Sequence, residues 1–165
     1  MGLLEGGVVE LRGERVVLRE VVEGDVGRLV EIRLAPEVAR WWGPVDDFEG
    51  LLVIELDGEV IGGIQYHEEE DPMYRHAGID IFLDPEWHGQ GLGAEAVRTL
   101  ARWLIDVRGH HRLTIDPAAH NEAAIRSYQR VGFRPVGVMR AYERDPATGR
   151  FHDGLLMDLL AGELA

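Results

Sequence analysis

The stretch PEWHGQGLGAEAVRTL, Pro85 to Leu100, sets glycines at 89, 91 and 93 just before a helical pattern. Glycines so spaced let backbone N–H groups converge, and the helix N-terminus beyond them adds partial positive charge, an arrangement suited to a pyrophosphate. A P-loop is excluded because no Gly-Lys-Ser/Thr follows. The dinucleotide fingerprint G-x-G-x-x-A is matched formally by Gly89, Gly91 and Ala94. Asp116 then stands roughly where that fingerprint places its acidic residue. However, DPEWH separates this loop from the preceding strand, and antiparallel neighbours do not build a doubly wound sheet. From the loop alone, a strand-to-helix connection without a ligand stays open. The second chemical signal is NEAAIRSYQRVGF. Its Asn121 and Tyr128 are seven positions apart and so lie within about 20° of each other around a helix. Individually they read as a helix cap and a half-buried aromatic; together, after a glycine loop and an intervening strand, they read as one site.

Composition narrows what such a site handles. A net charge of −13 excludes the clustered basic surface that nucleic-acid binding needs and suits a cationic small molecule. Acidic surface also serves solubility, so the position of the carboxylates has to separate the two. All 17 basic residues are arginine, which removes Schiff-base lysine chemistry, and the absence of cysteine removes disulfides, thiolate metal sites and a cysteine nucleophile. The seven histidines include no H-x-x-x-H pair on a convincing helix, so no metal is expected; His110-His111 reads as surface. No apolar run is long enough for a membrane span and no secretory signal opens the chain, so no membrane partner and a cytoplasmic location are expected. Oligomeric state is not legible in these patterns.

The elements that must position these residues follow from periodicity. Two β-rich runs surround Gly13, the second at 16–19 being the better strand, and two short helices follow, the second restarted by Pro36 and ending at Trp41-Trp42. Asp57-Gly58 marks a hairpin with strands at 51–56 and 60–66. HEEEDPMYRH reads as an acidic loop, AGIDIFL as a strand, 91–106 as an amphipathic helix and RLTID as a strand. NEAAIRSYQRVGF is a helix closed by Gly132, and FRPVGVM and FHDGLLMDLL form a final antiparallel pair around RDPATGR. The order β, α, α, β, β, β, α, β, α, β, β implies a single mixed α/β (α+β) domain over residues 1–165, with a mostly antiparallel sheet of about six or seven strands and about four helices.

H-G-Q-G-L-G, the helix after it, and N-x-x-A-x-x-x-Y-x-x-x-G-F resemble the two main motifs of the GNAT superfamily of acyl-CoA-dependent N-acetyltransferases. The resemblance implies a GNAT fold and acetyl-CoA as co-substrate. The loop His88, Gly89, Gln90, Gly91, Leu92 and Gly93 would hold the coenzyme A pyrophosphate, and Ile81 and Leu83 would pair with the pantetheine arm through their backbone. Asn121 would contact the cofactor and Tyr128 would protonate the leaving thiolate; Arg126 and Arg130, one turn apart, could meet its phosphates or remain plain surface arginines. The superfamily pattern usually starts with Gln or Arg, where this chain has His88. A closer resemblance, carried by VARWWG, EEEDP, GID and TIDPAAHNEAAIRSYQRVGF, is to the aminoglycoside 6'-N-acetyltransferases. It implies that Asp80 acts on the 6'-amine as base or anchoring anion, that Asp116 binds the drug, and that Trp41 or Trp42 lies beside it. This chain departs from that subgroup in a short segment after Trp42 and in the loop after Pro72.

Acetyl transfer from a thioester to an amine needs a neutral amine, a polarised carbonyl and a proton for the thiolate. Direct attack without an enzyme nucleophile satisfies all three, with Asp80 relieving the amine of a proton, Tyr128 supplying one, and a bulge in the strand from Ala77 supplying carbonyl donors. Glu68, Glu69, Glu70 and Asp71 lead into the strand bearing Asp80 and are expected to meet a cationic acceptor together with Asp116, unless they form only a solvated loop. The leading acceptor is an aminoglycoside. The alternatives are a polyamine, a hydroxylamine-type amine or a protein N-terminal amine, or a non-catalytic acyl-CoA-binding module.

Overall fold

The turn at Asp57-Gly58, with φ of +49° and +83°, joins β3 (Leu51–Leu56) to β4 (Glu59–Glu69). Positive φ at both turn positions matches the twist of the flanking strands, which is why Asp-Gly marks this hairpin. The computed structural model describes residues 10–42 and 50–165; the short segment after Trp42 lies at 43–49, outside the described residues. β1 (Glu10–Arg12) and β2 (Val16–Glu20) flank Gly13, followed by α1 (Val26–Leu34) and α2 (Pro36–Ala39). After the hairpin come β5 (His76–Leu83), α3 (Leu92–Asp106), β6 (Arg112–Ile115), α4 (Glu122–Val131), β7 (Arg134–Arg144) and β8 (Phe151–Leu160). The strands form one sheet in the order β1-β2-β3-β4-β5-β6-β8-β7. Among the described residues the eight strands exceed the expected six or seven because the short β1 pairs with β2 across the Gly13 turn.

Helices cover both faces. Val97, Leu100 and Leu104 of α3 are fully buried in the main core with Leu18, Ile54 and Ile79. On the opposite face, Leu29 and Ile32 of α1 and Val38 of α2 pack on Leu51, Val53 and Phe82. Since strand side chains alternate, the neighbours of a β5 residue follow from its parity: Ala77 and Ile79 point to α3, Phe82 to α1 and α2.

Two features of the sheet matter for function. β5 and β6 are parallel and pair only at Ala77↔Leu113 and Gly78↔Thr114. Beyond Gly78 the two strands separate and leave one edge of residues 79–83 open to a cleft. Against β4, by contrast, β5 pairs in unbroken register from Gly62↔Leu83 to Glu69↔His76. The expected bulge in β5 is therefore absent, and the open backbone edge comes from strand divergence instead. The same ladder carries β4 through Glu69, so Glu68 and Glu69 belong to a strand and not to the acidic loop read from the sequence. Backbone pairing is indifferent to side-chain charge, and β5 supplies a partner for each of these residues.

Candidate active site

The glycine loop starts from a braced strand end. Asp84 accepts from the backbone N–H of Glu86 at 3.0 Å, capping a single 3-10 turn over Pro85–Trp87, and also takes the Arg28 guanidinium of α1. His88 Nε2 donates to the Leu83 carbonyl at 2.8 Å and closes the loop back on β5. Gly89 and Gly91 have φ of +76° and +79°. Both values fall in the left-handed region that a side chain strains. Gly91 is also the N-cap of α3 and brings no side-chain acceptor, so the first N–H groups of that long helix are free to face a ligand. From behind, Arg15 donates through Nη1 to the Gln90 carbonyl at 3.1 Å and through Nε to the buried Glu95 at 2.8 Å. Burial alone would raise the Glu95 carboxyl, but the N–H groups of Arg15 and Val16 and the Arg15 guanidinium outweigh it and hold it below the ordinary range.

A cavity of about 860 Å³ occupies the fork between β5 and β6 and runs to this loop. Of the residues expected at the cofactor, His88, Gly89, Gly91, Leu92 and Gly93 line it, as do Ile81, Leu83, Asn121 and Arg126. Gln90 does not: its side chain turns to the Glu86 carbonyl at 3.3 Å, outside the cavity wall. Asn121 Oδ1 caps α4 by accepting from the Ala124 N–H at 3.3 Å, so it serves the helix while facing the cleft. Arg126, which makes a 3.9 Å contact with Glu122, and Arg130 both face the cavity. The carbonyls of Ile81 and Leu83 on this open edge accept from Trp42 Nε1 (3.1 Å) and His88 Nε2.

At the other end of the cavity Asp80 lies beside Gln65, directly opposite it on β4, whose Nε2 reaches Asp80 Oδ2 at 3.4 Å. The His67 ring lies diagonally across, Nδ1 4.0 Å from the same oxygen. Gly78 makes room for that ring, since a Cβ there would collide with it. Burial, and then the charge of Asp116, push the Asp80 carboxyl above its ordinary range against the opposing pull of Gln65 and His67. Tyr128 of α4 faces the same cavity, and its hydroxyl makes no hydrogen bond to the described residues. Burial together with Asp80 and Asp116 holds this phenol firmly protonated.

Asp116 follows the end of β6 and lines the cavity with Trp41, which packs against the His120 ring at a tilt with centroids 4.9 Å apart, and with Trp42, which meets Phe82 edge-on at 5.0 Å. The acidic segment behaves differently. Glu68 has the opposite parity to Gln65 and His67 and so points to the α3 side. There it takes Arg108 at 2.8 Å and His110 Nε2 at 2.6 Å. Glu69 and Glu70 are exposed, and none of the three lines the cavity. The expectation that they meet the acceptor is thus not supported by their placement. His110, read as surface, is only 2% exposed, because Glu68 offers it a buried partner. Glu143 of β7 lines the cavity unforeseen; nothing in its local pattern distinguishes it from the exposed residues around it. No cluster of three His, Cys, Asp or Glu suited to a metal occurs among the described residues, and no helix among them is long and apolar enough to cross a membrane.

The β5–β6 pair splays beside the uncapped N-terminus of α3, and comparison with known proteins identifies the family this arrangement belongs to. The model of the acetyltransferase (GNAT) family matches residues 20–133, so the chain belongs to the GNAT acetyltransferases. It is 27% identical over 170 aligned positions to the aminoglycoside N(6')-acetyltransferase type 1 of Klebsiella pneumoniae, covering 84% of each chain. It is 30% identical to the spermidine N(1)-acetyltransferase of Escherichia coli over 92 residues, covering 56% of this chain and 49% of that one. Among solved structures, AAC(6')-Ib in complex with paromomycin and acetyl-CoA superposes with a TM-score of 0.73 at 26% identity, covering 91% of this chain and 97% of that one. The chain is an N-acetyltransferase of GNAT type.

Proposed function

We propose that this protein moves the acetyl group of acetyl-CoA directly to a primary amine of a polycationic acceptor, the 6'-amine of an aminoglycoside. The observation that carries the reading is the cavity in which Asp80, Asp116 and Tyr128 meet at the far end from the glycine loop. The loop and the α3 N-terminus would take the pyrophosphate, and Arg126 would meet a cofactor phosphate. The arm would run along the open edge of β5, bringing the thioester between Asp80 and Tyr128. The amine nitrogen attacks the acetyl carbonyl carbon; a C–N bond forms, the C–S bond breaks, and the electron pair leaves on sulfur. Asp80, whose raised affinity for a proton narrows its mismatch with an ammonium near pKa 10, takes the amine's proton. Tyr128 hands its proton to the thiolate. The two transfers assist each other: protonation of Asp80 removes one of the two negative charges that hold the phenol proton in place.

Asp116 and Glu143 would receive the acceptor's other ammonium groups, with the Trp41 ring beside the sugar. A polyamine offers the same spacing of charge without rings, and the likeness to a spermidine acetyltransferase makes it the second reading. The test is thiol release from acetyl-CoA, which the cysteine-free chain leaves free of background, with a 6'-amino aminoglycoside, its 6'-hydroxyl counterpart, spermidine and a short peptide. Turnover with the 6'-amine and not with the 6'-hydroxyl is expected, and Tyr128→Phe should lower kcat about 100-fold while acetyl-CoA binding is kept. Turnover confined to spermidine or peptide would overturn the aminoglycoside, and silence with all four would overturn acetyl transfer to these amine classes.

A further inference from the structure

The last hairpin carries a distortion that the reaction as described does not use. Met139 of β7 pairs with Gly154 of β8, and the next paired position is Glu143 with His152. Arg140, Ala141 and Tyr142 therefore stand opposite Asp153 alone. Ala141 has φ of +46°. That left-handed conformation is costly for a residue with a Cβ. Its N–H is held by Asp153 Oδ1 at 2.8 Å. The Tyr142 ring lies over Gly154, where a Cβ would come within 2.8 Å of Cδ2. Bulge, left-handed alanine and missing Cβ act together to place the Tyr142 hydroxyl, and Tyr142 Oη donates to Asp116 Oδ2 at 2.6 Å. A phenol with no structural task would be served by solvent, since Tyr142 is 45% exposed. The backbone is bent at a cost to put this hydroxyl on a cavity carboxylate that is distant in sequence.

We propose that Tyr142 is a positioning residue for the acceptor: by holding one oxygen of Asp116 it directs the other into the cavity, where it receives a second ammonium group of a polycationic amine. This rests on the acceptor reading above and deepens it, because it makes recognition of at least two positive charges a property of the β7 bulge. The phenol is the right donor for the task. It carries no charge to compete with the ammonium, whereas an arginine or lysine in its place would neutralise Asp116. Glu143, the next residue, is carried by the same bulge to the cavity wall and adds charge of the same sign. An acceptor with one amine would reach Asp80 without using Asp116, so the bulge discriminates by charge number and leaves the transfer itself alone.

The experiment compares the intact protein with Tyr142→Phe, Asp116→Asn and the double variant. Calorimetry measures binding of spermidine and of a 6'-amino aminoglycoside to the CoA-loaded protein, and steady-state kinetics is run with the same acceptors and with a monoamine. Loss of one hydrogen bond to a charged group is expected to weaken binding of the two polycations about tenfold, read as KM with little change in kcat. For Tyr142→Phe, acetyl-CoA affinity and the monoamine KM should be unchanged, and this substitution should add nothing in the Asp116→Asn background. Equal polycation affinity in wild type and Tyr142→Phe, an equal loss for the monoamine, or full additivity with Asp116→Asn would each overturn the proposal. Polycation binding that depends on Tyr142 without turnover would uphold it and overturn the catalytic reading alone; no polycation binding by wild type would overturn both.

Discussion

The two ends of the cavity are built by different means. At the end of the cavity we assign to the cofactor, most of the wall comes from the run between Leu83 and Gly93: two left-handed glycines, a histidine folded back on its strand and an uncapped helix. At the acceptor end, Asp80, Asp116, Trp41, Tyr128 and Glu143 come from five separate places in the chain and meet only once the sheet has formed. Backbone recognition of phosphate tolerates sequence change as long as the glycines keep their conformation. Side-chain recognition of an amine depends on register, strand divergence and a bulge.

The sharpest way to separate the two ends is Asp80→Asn, which should lower kcat about 100- to 10,000-fold and leave the calorimetric affinity for acetyl-CoA intact. A parallel loss of cofactor affinity would break the division. Gly91→Val probes the opposite end, at a position whose φ is +79°. Forcing a β-branched residue into the left-handed region costs on the order of 1 kcal/mol or more, so acetyl-CoA affinity should fall roughly tenfold. The acceptor KM should hold in the variant saturated with cofactor.

Glu68→Gln serves as the control for an acidic residue outside the cavity, since its charge stands beside Arg108 and His110. Loss of that charge should cost about 1–3 kcal/mol of stability by denaturant unfolding, with no change in either KM. Against the upward push of burial, Arg108 and His110 hold the Glu68 carboxyl below its ordinary range. Its stabilisation is therefore present above the unfolded glutamate pKa and fades as pH falls through the depressed folded value, a slope the variant should lack. The smallest effect is also a directional one. The Asp116 charge contributes to the raised proton affinity of Asp80, so Asp116→Asn should move the acid limb of kcat/KM to lower pH, because Asp80 then reaches its basic form earlier. A limb that stays in place or moves upward would show that the two carboxylates do not share a field.

Legibility in the sequence tracks the same division. The Asp57-Gly58 hairpin, the α3 stripe, the glycine loop and the Asn121–Tyr128 helix are readable because each depends on residues within one or two turns of each other. Glu68 misleads because its neighbours are acidic and its segment resembles a loop, while its orientation depends on β4 continuing alongside β5. His110 misleads for the matching reason, since its partner Glu68 belongs to a distant strand. Tyr142 and Glu143 carry no local signal, because the bulge in RPVGVMRAYER appears only against β8.

By itself the sequence determined the order of elements, the presence of a glycine loop leading into a long helix, and the exclusion of lysine and cysteine chemistry, all properties of local conformation and composition. The tertiary structure alone decided which carboxylates share the cavity. Strand parity sends Glu68 to one face and Asp80 to the other, divergence of β5 from β6 opens the cleft, and the register of β7 on β8 carries Tyr142 to Asp116. A one-residue change of register reverses which face a strand side chain occupies, so pairing information that no local window contains decides which charges an acceptor meets.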